Sequence, residues 1–160
     1  MRSLRPALLA VGLLAATAAP ARADFTAFLG ATTTPTNRQA RGAAVGSGLL
    51  LVAFEFEYSS TTEDPKTGAP SLKIGSGNGI LQTPVPIFGF QPYVTAGAGI
   101  YRERLGTSTE SGIAPNVGGG VKVALLGPLR LRLDYRRFRL GSEARYSPTS
   151  RFYAGLNLKF

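Results

Sequence analysis

Neither cysteine nor histidine occurs anywhere in the 160 residues of this chain. Without histidine, Ser-His-Asp and Cys-His catalysis are excluded, and with both types missing the usual transition-metal ligands are gone as well. Without cysteine no disulfide can staple the fold, so stability has to come from a large core or from a membrane. Uninterrupted helical sequence is also scarce. Eleven prolines and 20 glycines are spread along the chain, which leaves little room for one long helix. The stretches GSGNG (75–79) and VGGGV (117–121) have neither the Gly-x-x-x-x-Gly-Lys spacing of a phosphate loop nor a Gly-x-Gly-x-x-Gly opening onto a helix. Glycines there relieve crowding in curved strands. No enzymatic activity, metal or cofactor is expected.

The N-terminus is what a secretory signal peptide requires. Arg2 and Arg5 make a basic start, and Ala7 to Ala19 form an apolar run broken only by Gly12 and Thr17. Pro20 ends the run, and Ala21-Arg22-Ala23 offers small-x-small cleavage geometry. The run is shorter than the roughly 20 residues a bilayer-spanning helix needs. Residues 1–23 are therefore expected to be removed, and residues 24–160 to form one domain. Net charge is +9, and setting aside Arg2, Arg5 and Arg22 lowers it to +6. For an exported chain that balance suggests anionic lipid as the acidic partner. Interleaved basic and aromatic residues of the RNA-binding kind are missing, so no nucleic-acid partner is expected.

What is present is strand after strand. Residues 151–160, RFYAGLNLKF, put Phe152, Ala154, Leu156, Leu158 and Phe160 on one face and Tyr153, Gly155, Asn157 and Lys159 on the other. Seven further strands are read at 24–32, 41–46 (short and weak), 49–59, 71–82, 91–103, 116–126 and 129–140. The fourth puts Ser76 and Asn78 on the face of Leu72 and Ile74, which suggests a bulge or register change there. Short links, GSG at 46–48 and Gly127-Pro128, alternate with long polar ones such as STTEDPKTGAP (60–70), RLGTSTESGIAP (104–115) and GSEARYSPTS (141–150). An up-and-down antiparallel sheet sends all the long loops to one end.

Alternation alone does not choose the environment. Leu129, Leu131, Leu133 and Tyr135 share one face of the seventh strand, while Arg130, Arg132, Asp134 and Arg136 share the other. A soluble, lipocalin-like carrier of the periplasm would turn the leucines inward. A membrane barrel would turn them outward, because lipid-facing Arg at mid-depth costs roughly 2–4 kcal/mol. Three features favour the membrane: small fillers on the charged faces against large apolar side chains opposite, the asymmetry of the loops, and the export signal.

On PYVTAGAGIY (92–101), NVGGGVKVAL (116–125) followed by a tight turn and a strand ending LDYRRF, and the terminal alternation ending at Phe160, the chain resembles the OmpA/OmpX-type eight-stranded outer-membrane β-barrels. The resemblance spans residues 24–160. It implies an all-β, antiparallel, up-and-down transmembrane barrel in the bacterial outer membrane. In that family Phe152, Leu156, Leu158 and Phe160 would resemble the signal read by the barrel-assembly machinery.

The register then places Glu55, Glu57, Lys73, Lys122, Arg130, Arg132, Asp134 and Lys159 in the lumen. Buried charges must pair, and Arg132 with Glu55 or Glu57 is the favoured pairing. The basic excess would make any ion path prefer anions. Arg102, Arg104, Arg136, Arg137, Arg139, Arg145 and Arg151 are expected at the long-loop end, as contacts to lipopolysaccharide phosphates. Tyr101, Tyr135, Phe138, Tyr146, Phe152 and Tyr153 would form an interfacial girdle there. The expected role is a monomeric, non-enzymatic barrel of the outer membrane with an envelope-structural or surface-interaction role. A narrow pore for small or hydrophobic solutes and the lipocalin-like carrier are the alternatives.

Overall fold

The computed structural model describes residues 22–160; all but the last two residues of the proposed signal peptide lie outside them. Nine strands follow in order: β1 (Arg22–Thr32), β2 (Arg38–Leu49), β3 (Val52–Thr61), β4 (Ser71–Gln82), β5 (Phe90–Leu105), β6 (Ser108–Ile113), β7 (Asn116–Leu126), β8 (Leu129–Phe138) and β9 (Thr149–Lys159). Every pairing is antiparallel. β6 and β7 both pair with β5, one above the other, and act as one staved element interrupted at Ala114-Pro115. Pro115 has no N–H to give the ladder, while Ala114 still exchanges bonds of 3.1 and 2.8 Å with Gly99. The barrel is thus eight-stranded. It closes where β1 pairs with β9, from Asp24 opposite Lys159 to Thr32 opposite Arg151. Beyond that register Phe160 and Ala23 exchange two more backbone bonds, of 3.0 and 2.9 Å.

Four connections lie at one end: 33–37, 62–70, 106–107 and 139–148. The opposite end carries 50–51, 83–89 and 127–128. Gly127 has φ +55°, the conformation that a two-residue hairpin needs at its first central position.

Several sequence expectations change here. The second strand is long, 12 residues; GSG lies within it, and the turn falls on Leu50-Leu51. The stretch 104–115 is not a loop, since Leu105 pairs with Ser108 and the hairpin rises above the barrel wall. β4 keeps continuous register with both neighbours, so the expected bulge is absent. The register shift lies between Ala124 and Leu126 instead.

The walls settle which face meets what. On β3, Phe54 and Phe56 are 69% and 71% exposed, while Glu55 between them is 1% exposed. Leu29, Val45, Leu81, Val94, Ile100, Val117 and Leu156 are likewise turned outward and exposed. An apolar belt around a whole molecule far exceeds what soluble monomers display. The barrel spans a membrane, with its polar groups inside, and the inverted, lipocalin-like arrangement is overturned. The interior is layered. A polar middle contains Arg132, Arg136, Glu55, Asp134 and Asn157. Toward the long-loop end lies an apolar cluster of Leu72, Ile74, Tyr101, Ala114, Phe138 and Leu140. Leu72 and Ile74 do share the inward face with Ser76 and Asn78, because the lumen itself changes from apolar to polar along β4.

Candidate functional site

The polar middle is assembled from three walls. β3 contributes Glu55 and Glu57, β8 contributes Arg132, Asp134 and Arg136, and β9 contributes Arg151 and Tyr153. Period-2 geometry puts each set on the inward face. Arg132 grips Glu55 through both terminal nitrogens, one contact measuring 3.2 Å, and reaches Asp134 at 3.1 Å. Arg136 reaches Glu55 at 2.6 Å, Glu57 at 3.3 Å and Asp134 at 3.1 Å. Arg151 pairs with Glu57. Three guanidiniums thus meet three carboxylates, all nearly or wholly buried.

Neutral groups complete the lattice. Tyr93 donates to Asp134 and accepts from Arg132 Nε at 2.8 Å. Asn157 donates to Thr26 at 2.9 Å. The rings of Phe28 and Tyr153 stack at 3.9 Å, and Arg151 lies over both. Such rings need room. A side chain at Gly120 on β7 would collide with the Leu133 carbonyl and the Tyr93 hydroxyl. Within this lattice the charges balance, three guanidiniums against three carboxylates, so the basic excess of the lumen lies outside it.

Below the lattice, at the short-turn end, a cavity of about 310 Å³ opens among Asp24, Gln91, Lys122, Arg130 and Lys159. Lys122 binds Asp24 at 2.6 Å, and Arg130 donates to Gln91 at 2.6 Å. At the long-loop end Arg137, Arg139 and Arg145 are exposed and border an outer groove of about 1040 Å³ with Ala96, Val117 and Leu140. Arg102 and Arg104 are exposed on β5. Among the described residues no cluster of histidine, cysteine or carboxylate side chains is arranged to hold a metal ion.

Solved structures share this architecture. The N-terminal β-barrel domain of Pseudomonas aeruginosa OprF superposes with a TM-score of 0.68 at 17% identity, over 87% of this chain and 97% of that one. Neisserial surface protein A superposes with 0.68's near neighbour, 0.67, at 18% identity, over 88% and 96%. The fold is the OmpA/OmpX-type eight-stranded barrel. The outer-membrane enzyme PagL shares the fold, at a TM-score of 0.52 and 12% identity over 86% and 98%, so the fold is found with catalysis as well as without it. Neither a protein-family model nor a curated protein sequence matches the chain.

Three sets of residues in this OmpA/OmpX-type barrel sit elsewhere than the sequence suggested. Lys73 is exposed on the outer wall, not in the lumen, because it alternates with the inward Leu72 and Ile74. Arg136 and Arg151 are 0% and 2% exposed, inside the lattice and not at the rim; the apolar cluster above them shuts out water. Tyr101, Phe138 and Tyr153 are buried in the lumen, so only Tyr135 and Phe152 of the expected girdle are exposed outward on the strands. Sequence reading missed Arg38, which is buried and donates to the carbonyls of Thr34, at 2.9 Å, and Pro70. It also missed Asn116 to Asn78 at 3.0 Å and the outward Arg41. The glycines and alanines of β2 hide its alternation; only the parity Arg38, Ala40, Gly42, Ala44 signals it.

Proposed function

We propose that the protein is a non-enzymatic, monomeric barrel of the bacterial outer membrane with an envelope-structural and surface-interaction role, and that its lumen is closed. The observation that carries this reading is the balanced lattice of Arg132, Arg136 and Arg151 with Glu55, Glu57 and Asp134, which fills the middle of the barrel with paired, buried charge. An eight-stranded interior is just wide enough to be filled by side chains, and a filled interior leaves the loop end as the working surface. That end faces lipopolysaccharide in this reading, with Arg137, Arg139 and Arg145 toward its phosphates. The segment ending at Phe160 serves the barrel-assembly machinery during insertion. The lack of histidine removes the acid–base residue most often used in hydrolysis.

The test joins two measurements. Purified protein run in SDS with and without boiling should show the mobility shift of a closed barrel. The same preparation in planar bilayers should give no sustained single-channel conductance. Steady conductance would overturn the closed lumen and favour a narrow solute pore.

A further inference from the structure

The outer wall carries a basic feature that neither the lumen nor the groove beside Arg137 uses. Register places Arg41 of β2 opposite Ser60 of β3, Ser60 opposite Lys73 of β4, and Lys73 opposite Arg102 of β5. The row crosses four adjacent strands in register. With strands about 4.8 Å apart, its three cations fall within about 15 Å. Arg41, Lys73 and Arg102 are all exposed, and no ion pair among the described residues uses any of them.

Height is the second observation. The next outward residues toward the short-turn end are Ala43, Tyr58, Gly75 and Ile100. On these four strands the row therefore marks the upper edge of the apolar belt, where lipid headgroups begin. The third observation is shape. Arg41, Ser60 and Lys73 head a groove of about 840 Å³ that descends the wall past Ala43, Ala27 and Leu156, with no carboxylate in its lining. Cations above and an apolar trough below match an amphiphile standing as leaflet lipids stand, anionic head up and chain down. Guanidinium prefers phosphate, which accepts its paired N–H donors.

We propose that Arg41, Lys73 and Arg102, with the Ser60 hydroxyl between them, bind the phosphate of a phosphorylated glycolipid whose acyl chain lies in the groove below. The site rests on the reading that this end of the barrel faces lipopolysaccharide, and it stands on the wall opposite Arg137 and Arg139. It is a fixed lateral contact, in contrast to the loop surface.

The experiment uses the full barrel refolded in zwitterionic nanodiscs and titrated with phosphorylated lipid A, dephosphorylated lipid A and inorganic phosphate. Wild type is compared with R41S/K73S/R102S and with R137S/R139S, each first checked for the boiling-dependent gel shift. The triple variant should bind lipid A about tenfold or more weakly, the scale of losing charged hydrogen bonds. Wild type should prefer the phosphorylated form by a similar factor, and inorganic phosphate at equal concentration should not compete. Loss confined to R137S/R139S overturns this site while lipopolysaccharide facing stands. Unchanged affinity in both variants overturns both readings. Competition by inorganic phosphate overturns a lipid site in favour of a free-anion site. Unchanged lipid affinity with a dimer lost in the triple variant assigns the face to a second copy and also overturns the proposal.

Discussion

Replacing Glu55 by Gln probes the lattice at its most connected carboxylate. Glu55 is 1% exposed and serves two guanidiniums, Arg132 and Arg136. The amide keeps the volume and removes the charge. Removing one partner of a buried ion pair costs about 3–5 kcal/mol, because the other charge stays buried. Here both arginines retain help: Arg132 keeps Asp134 and Tyr93, and Arg136 keeps Asp134 and Glu57. The loss should therefore fall near the lower limit, about 3 kcal/mol. Equilibrium urea titration of the barrel in lipid vesicles, read by the folded band on an unboiled gel, measures it. The companion E55Q/R132M removes the orphaned charge with a side chain of similar length, and should lose less than the two single variants added together. A Glu55→Gln cost under about 1 kcal/mol would refute the claim that paired charge holds this lumen together, since even an ordinary buried hydrogen bond is worth that much.

Two further outcomes follow from the walls. Phe56→Arg, at a lipid-facing site 71% exposed, should destabilise the barrel in bilayers by about 2–4 kcal/mol; a neutral or solubilising effect would argue against the membrane-facing assignment. Gly120→Val should abolish or strongly reduce the heat-modifiable band after refolding, because its side chain meets the Leu133 carbonyl and the Tyr93 hydroxyl and overpacking of this kind costs about 1–3 kcal/mol or more; normal refolding yield would show that Tyr93 can leave the lattice.

How far the sequence could be read depends on how sharply each face differs. On β3, β8 and β9 large apolar residues alternate with charges, so the strands and the shared faces of Glu55 with Glu57 and of Arg132 with Asp134 follow from period 2, while the inward side of those faces needed residue sizes, loop asymmetry and the export signal as well. On β2 both faces hold glycine and alanine, so the alternation that buries Arg38 and exposes Arg41 is faint. Depth was harder than face. Arg136 shares its face with Arg132 and Asp134, yet nothing in one strand tells that Leu72, Ile74 and Tyr101 from other walls will converge with Phe138 above it and seal it from water. The hairpin of β5 and β6 escaped notice because it stands above the apolar belt, where no lipid imposes a greasy face on it. Lys73 shows the converse: a lone charge on an outward face near a headgroup boundary reads locally like a lumen residue.

The seam between β1 and β9 has a consequence for how the barrel comes into being. It joins parts of the chain as distant as Thr26 and Asn157, 131 residues apart, and closing a flexible loop of that length costs on the order of 4 kcal/mol in entropy. The lattice spans similar distances: Arg132 meets Glu55 across 77 residues and Arg151 meets Glu57 across 94. Until the sheet curls shut Glu55, Glu57 and Arg151 lack the partners they have in the lattice, Arg132 and Arg136 share only Asp134 of their own strand, and hydrocarbon would have to receive the uncompensated charge. A flat, half-inserted sheet is thus barred on two counts, by its unpaired edges and by its unpaired charges. Curling and insertion become a single event, and the arginines that look like an inert filling act as a proofreading device: only a closed cylinder can carry them across.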